Sequence, residues 1–257
     1  MANRFKEFAE RADQIVATGR KRGVELRSVG GIAVWARMTD DLLPEFEAIR
    51  PDPKDLDLVA PTGSDPSAIK ESFVEHGYEP DERLIAWRGD QRHQYFGLDR
   101  NGQPTMEIDV FLGPPPTCHK FDLPHSAFDF GGTALPSTEL LLQKLQIVES
   151  SEKDLLDIAF LLQASGGEEP ANHIDTDRVV GLLAKDWGFS HTAGANLAMA
   201  SEVATEKLDE RAGAEVSSKI DDLAALIEAA PKSRKWKLRA RVGTKVSWYE
   251  EVEELDR

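Results

Sequence analysis

The chain has 257 residues, 40% of them hydrophobic and 30% charged, with a formal net charge of −15. That length suits one large domain or two modest ones with a real hydrophobic core. The excess of acid opposes unaided binding along a nucleic-acid backbone, whose affinity comes mostly from cations releasing counterions.

One cysteine, Cys118, excludes an internal disulfide and agrees with a reducing compartment. No apolar run approaches the roughly 20 residues of a membrane span. The opening Met1 to Arg22 is charged and helical in pattern rather than a signal peptide, so the expectation is a cytoplasmic protein.

Phe5, Phe8, Ala9, Ala12, Ile15 and Val16 recur at helical spacing and predict a first helix ending near Gly19 or Gly23. Val24 to Val29 alternates like a strand. Gly30 and Gly31 follow it, and Ile32 to Trp35 opens a buried helix, an order that leaves backbone N–H groups where an anion can sit. Read alone, the glycine pair is only a tight turn. The acidic segment from Arg37 to Lys54, with Pro44, Pro51 and Pro53, predicts a loop or a short helix flanked by turns.

Asp55-Leu56-Asp57-Leu58-Val59 is strand-like, and side chains two apart on a strand share a face, so Asp55 and Asp57 project together. Two such carboxylates repel unless a cation lies between them. Asp65 to His76 reads as a helix capped by Ser64 or Asp65, with Ile69, Phe73 and Val74 inward. Leu84 to Trp87 and Gln94 to Leu98 read as strands. Asn101-Gly102 is a hairpin signal joining the latter to Thr105 to Leu112. That hairpin sets Asp109, with Glu107 on its face, where it can meet Asp55 and Asp57.

Cys118, His119, Asp122 and His125 lie close in sequence but match no usual structural-zinc spacing. Ser137 is placed to cap a helix buried through Leu140, Leu141, Leu142, Leu145 and Val148, with Lys144 within it. Glu152 to Leu162 is the next helix, carrying Lys153, Asp154 and Asp157. Beyond a linker at Ser165 to Pro170, the segments Asp177 to Lys185, Ala193 to Leu208 and Ala214 to Ala230 have helical periodicity. Lys232 to Arg241 is a dense basic run in an acidic chain, suited to RNA phosphates, a substrate's phosphate tail or the protein's own acidic surface.

Gly30-Gly31, Asp55-x-Asp57, Asp109, Leu135-Pro136 leading to Leu142-Gln143-Lys144-Leu145, and Lys153-Asp154-Leu155-Leu156-Asp157 together resemble the nucleotidyltransferases of the DNA polymerase beta superfamily. Within that superfamily the look is nearest to the bacterial branch of AbiEii-type toxin nucleotidyltransferases. The resemblance covers roughly residues 24 to 163. It departs from the family in the long interval between Gly31 and Asp55 and in Gly31 itself, where the family often has Ser.

The resemblance implies an α+β fold. A nucleotidyltransferase-like mixed sheet flanked by helices would fill residues 1 to 135, while the helical periodicity further on predicts an all-helical part over residues 136 to 257. It also implies transfer of a nucleoside monophosphate from a nucleoside triphosphate to an acceptor hydroxyl, with Mg²⁺ or Mn²⁺ as cofactor. Asp55 and Asp57 would ligate metal shared with the triphosphate, and Asp109 would complete a second metal position and orient the acceptor hydroxyl. Gly30, Gly31, Lys144 and Lys153 would serve the nucleotide. The acceptor is either tRNA or another RNA, or a small hydroxylated molecule, and an antitoxin is a possible partner. The competing readings are a catalytically degenerate binding or regulatory protein and a metal hydrolase, the latter disfavoured because the three acidic motifs hold no histidine.

Overall fold

The computed structural model describes residues 3–166 and 168–252. In chain order the elements are α1 (Arg4–Lys21), β1 (Arg27–Val29), α2 (Gly30–Trp35), α3 (Leu43–Ile49), β2 (Asp55–Ala60), α4 (Pro66–Val74), β3 (Glu79–Pro80) and α5 (Glu82–Arg88). There follow β4 (Arg92–Leu98), β5 (Pro104–Leu112), α6 (Ser137–Leu145), α7 (Glu152–Ala164), α8 (Thr176–Leu183), α9 (Trp187–Lys207), α10 (Glu210–Ala229) and α11 (Arg234–Val242). The fold is a five-stranded mixed sheet with flanking helices, and a helical C-terminal part, as expected.

Two compact units divide the chain. The first comprises residues 1–37, 51–115 and 122–136, and the second 38–50, 116–121 and 137–257. A single division after residue 135 therefore leaves two earlier segments, 38–50 and 116–121, on the wrong side: they pack with the helical unit.

In the first unit the strand order is β1-β2-β5-β4-β3. The β2–β5 pair is parallel; β1–β2, β5–β4 and β4–β3 are antiparallel. Strand alternation gives the sheet two different faces. Leu56, Leu58, Ile108, Val110 and Tyr95 fill one of them and are fully buried. Phe73 of α4 stacks on Tyr95 there, with centroids 4.0 Å apart. Each such side chain contributes about 1.5–3 kcal/mol by leaving water, so this face fixes the register of β2 against β5. Asp55, Asp57, Glu107 and Asp109 necessarily project from the other face.

β1 is shorter than the alternation from Val24 predicts, pairing with β2 over Arg27–Val29, and its outer edge is bonded to the chain near residue 134. Ser28 N donates to Thr133 O at 2.7 Å and Leu135 N to Ser28 O at 3.1 Å. The buried Arg37 guanidinium donates to the carbonyls of Leu135 and Ala134. These bonds hold the turn at Gly30.

Three other expectations need correction. Leu84 to Trp87 belongs to helix α5, not a strand, since Asp81 caps it by accepting from the backbone N–H groups of Arg83 and Leu84. Val74 is 50% exposed rather than inward, at the last position of α4. Ser137 is the first helical residue of α6, not its cap, and its hydroxyl is buried without a hydrogen-bond partner.

In the second unit α7 is the central helix: Leu155 through Leu162 are all buried. Phe46 of α3 meets Phe160 edge-on with centroids 5.0 Å apart. Asn196 of α9 donates to the carbonyls of Leu145 and Ile147, closing the C-terminal end of α6. Among the described residues no helix is long and apolar enough to cross a membrane.

Candidate functional site

The parallel register of β2 and β5 brings the acidic motifs together. Asp57 lies beside Asp109, and Asp55 beside Glu107. Register partners on neighbouring strands point to the same side, so four carboxyl groups share one face. Asp109 is buried, while Asp55, Asp57 and Glu107 are half-buried. On the far side of β2, Val29 pairs with Asp57, and the chain then turns at Gly30.

Gly30 has φ +67°, a conformation open to glycine and strained for other residues. A Cβ at this position would lie 2.9 Å from Asp57 Oδ2. The absent side chain is what lets the backbone turn approach the carboxylate. Gly31 continues into the short helix α2.

The neighbour on the other side of β5 supplies positive charge. Gln94 pairs with Asp109 in the β4–β5 ladder, and Arg92 with Phe111. Arg92 reaches diagonally to Asp109 Oδ1, donating from Nε at 2.9 Å and from Nη2 at 2.7 Å. Gln94 Nε2 donates to Glu107 Oε1 at 2.7 Å and lies 3.4 Å from Asp109 Oδ1. The Arg92 guanidinium also sits over the Phe111 ring, 5.6 Å from its centroid. Neither Arg92 nor Gln94 is announced by the sequence pattern, because an irregularity between Gly97 and Leu98 shifts the β4–β5 register.

No group of three or more His, Cys, Asp or Glu is arranged to hold a metal ion among the described residues. A pair of carboxylates still fits Mg²⁺, which commonly takes one or two from protein and completes its shell with phosphate oxygens and water. Asp55 and Asp57 are such a pair.

Lys144 and Lys153 belong to the second unit. Lys153 is exposed on α7. Lys144 is not: its ammonium is bound at 2.8 Å by both Asp154 Oδ1 and Asp157 Oδ2. Asp157, fully buried, is also held by Arg50, from Nε at 2.8 Å and Nη2 at 3.1 Å. Burial pulls Lys144 down, but Asp157 and Asp154 outweigh it and hold the ammonium above its ordinary pKa. Burial pushes the Asp154 carboxyl up, yet Lys144, aided by the Ser151 capping box, brings it down to about 2. Lys144, Asp154, Asp157 and Arg50 thus form a structural ion network joining α3, α6 and α7.

His119 is explained by packing. His119 stacks on Phe189 at 5.3 Å and shares a 2.8 Å hydrogen bond with Thr192 Oγ1. The basic run forms α11, capped by Ser233, with no acidic residue between Lys232 and Lys245. Arg234, Lys235, Lys237 and Arg241 are exposed; Arg239 instead covers the Trp187 ring, 4.8 Å from its centroid. No family model, curated protein or solved structure matches the chain.

Proposed function

We propose that the protein is a nucleotidyltransferase that moves a nucleoside monophosphate from a nucleoside triphosphate to an acceptor hydroxyl. The observation that carries this reading is the register that sets Asp55, Asp57 and Asp109 on one face beside the turn at Gly30. Separate stretches of sequence supply these groups, and packing of the opposite face has no need of their charge.

Asp55 and Asp57 would hold Mg²⁺, which when bound supplies positive charge to the phosphoryl oxygens of the triphosphate. Gly30 and Gly31 would let backbone N–H groups approach the terminal phosphates, since no side chain stands in the way. Asp109, fixed in orientation by Arg92, would orient the acceptor hydroxyl and take its proton. Lys144 is engaged in its own unit's ion network, so the reading does not depend on it. The exposed cations of α11 favour an RNA acceptor over a small molecule. Replacing Arg234, Lys235 and Lys237 with Gln would then weaken RNA binding and flatten its salt dependence.

The pairing of Asp109 with Arg92 favours a second reading, a nucleotide-binding module without turnover. Pyrophosphate release from triphosphate and Mg²⁺, in the presence of total RNA or a panel of small hydroxylated molecules, separates the two. Release dependent on Asp57 supports transfer; binding without release supports the module.

A further inference from the structure

We infer that a groove in the helical unit binds one unpaired nucleotide, its base against the aromatic wall of Trp236, Trp248 and Tyr249 and its phosphate on Lys185 and Lys235. A free nucleoside monophosphate and a residue of a single strand present this same chemistry. The inference goes beyond transfer at the carboxylate face and does not rest on it.

The groove is lined from within 118–120, 185–188 and 235–250, all of one unit. Its volume is about 660 Å³, inside the roughly 300–1,000 Å³ of small-ligand pockets. In a chain of net charge −15 its lining is cationic, with Lys120, Lys185, Lys235 and Arg239 against Asp186 and Glu250. Both carboxylates are engaged: Glu250 pairs with Lys120 at 2.7 Å, and Asp186 caps α9 by accepting from Phe189 N at 2.9 Å. Arg239 is engaged as well, lying over Trp187 and donating to the carbonyls of Gly243, Val246 and Ser247. Lys185 and Lys235 are exposed and form no ion pair among the described residues, which leaves them as point charges for a phosphate.

The aromatic wall is held from behind. Trp236 Nε1 donates to Leu183 O and Trp248 Nε1 to Thr192 Oγ1, each at 3.2 Å, and Glu250 N donates to Cys118 O at 2.9 Å. A Cβ on Gly188 would lie 2.3 Å from Trp248 O, so the glycine in the first turn of α9 is what admits the segment carrying Trp248. With both indole N–H groups engaged by the protein, the rings offer a ligand flat area rather than hydrogen bonds. Such area suits a base, since every base has a π-face and stacking tolerates any sequence. The lysines repel the other usual occupant of an aromatic recess, a quaternary ammonium. Rings and free cations together select an aromatic ring joined to a phosphate.

The test is isothermal titration calorimetry of the 257-residue chain in EDTA, without triphosphate, against adenosine 5′-monophosphate, single-stranded hexa-adenylate and an abasic hexamer of the same charge. Adenylate is expected to bind, and the abasic hexamer to bind at least about tenfold more weakly than hexa-adenylate. A monophosphate that binds as tightly as hexa-adenylate identifies a free nucleotide as the ligand; a tighter hexa-adenylate identifies a strand. Trp236→Leu and Trp248→Leu should each weaken adenylate binding about tenfold, with Tyr249→Leu replacing either one that circular dichroism shows unfolded. Lys185→Gln, at an exposed position, should weaken both hexamers. Equal binding of the abasic hexamer and hexa-adenylate, folded ring variants that bind like the wild type, an unchanged Lys185→Gln chain, or no binding of either adenylate overturns the inference. Each of these results leaves metal-dependent transfer standing, because neither metal nor triphosphate is present.

Discussion

Replacing Lys144 with Met removes an ammonium that joins two buried carboxylates and leaves a side chain of similar length. Two charge-assisted hydrogen bonds of 2.8 Å disappear, to Asp154 and to Asp157. Each such bond contributes about 1.5–3 kcal/mol, and breaking a buried pair from one side costs about 3–5 kcal/mol because the partner stays desolvated. The lower end applies here. Asp157 keeps both bonds from Arg50, Asp154 keeps Ser151, and the methionine has no desolvation to overcome. The expected loss is therefore about 3 kcal/mol, a large share of the roughly 5–15 kcal/mol that a domain has in all. Urea denaturation followed by tryptophan fluorescence reads it as a lower midpoint, by about 1 M or more at the usual slopes. Trp187, Trp236 and Trp248 report on this unit. A loss below about 1 kcal/mol would show that the network is not holding α6 and α7 together.

Asp154 gives a linked prediction in pH. Its carboxyl lies at about 2 when folded, against an ordinary 3.8. The lowered value stabilises the fold in full above about pH 4, and the contribution is lost as pH falls toward 2. Asp154→Asn should cost about 2 kcal/mol at neutral pH, and the gap from wild type should narrow in urea melts near pH 3; a gap that stays constant would contradict the assignment. Gly30→Ala should cost about 1–2 kcal/mol and weaken Mn²⁺ binding, because it adds left-handed strain and displaces Asp57. Gly63→Ala shares the positive φ, at 87°, but meets nothing within 4 Å, so it should leave Mn²⁺ binding unchanged; equal effects of the two on the metal would dismiss the Gly30 contact.

The acidic face was legible because strand alternation is local: Asp55 and Asp57, then Glu107 and Asp109, declare their shared side at a spacing of two. Their juxtaposition was not readable from either run. It required the parallel pairing of β2 with β5, strands far apart in sequence. Arg92 and Gln94 were hidden by a register shift. Counting back from the Leu98–Pro104 pair would set His93 against Asp109, whereas the irregularity between Gly97 and Leu98 puts Gln94 there.

Leu84 to Trp87 looked like a strand because it is apolar, yet none of α5 is buried and Trp87 is 65% exposed. The Asp81 cap decided the matter over the apolar run. Lys144 carried a family expectation that its surroundings redirect. Its partners Asp154 and Asp157, three apart on one helix, share a face, but Arg50, which completes the network, is the residue just past the end of α3, whose packing on α7 no periodicity announces.

The most direct measurement is pyrophosphate release by the 257-residue chain with Mg²⁺, labelled nucleoside triphosphates and total RNA, for the wild type and for Asp57→Asn. Replacing the carboxylate beside the Gly30 turn should abolish both release and label transfer while leaving the circular dichroism spectrum unchanged. Equal release by folded wild type and Asp57→Asn, or no triphosphate binding by the wild type at all, would contradict nucleotidyl transfer at this face.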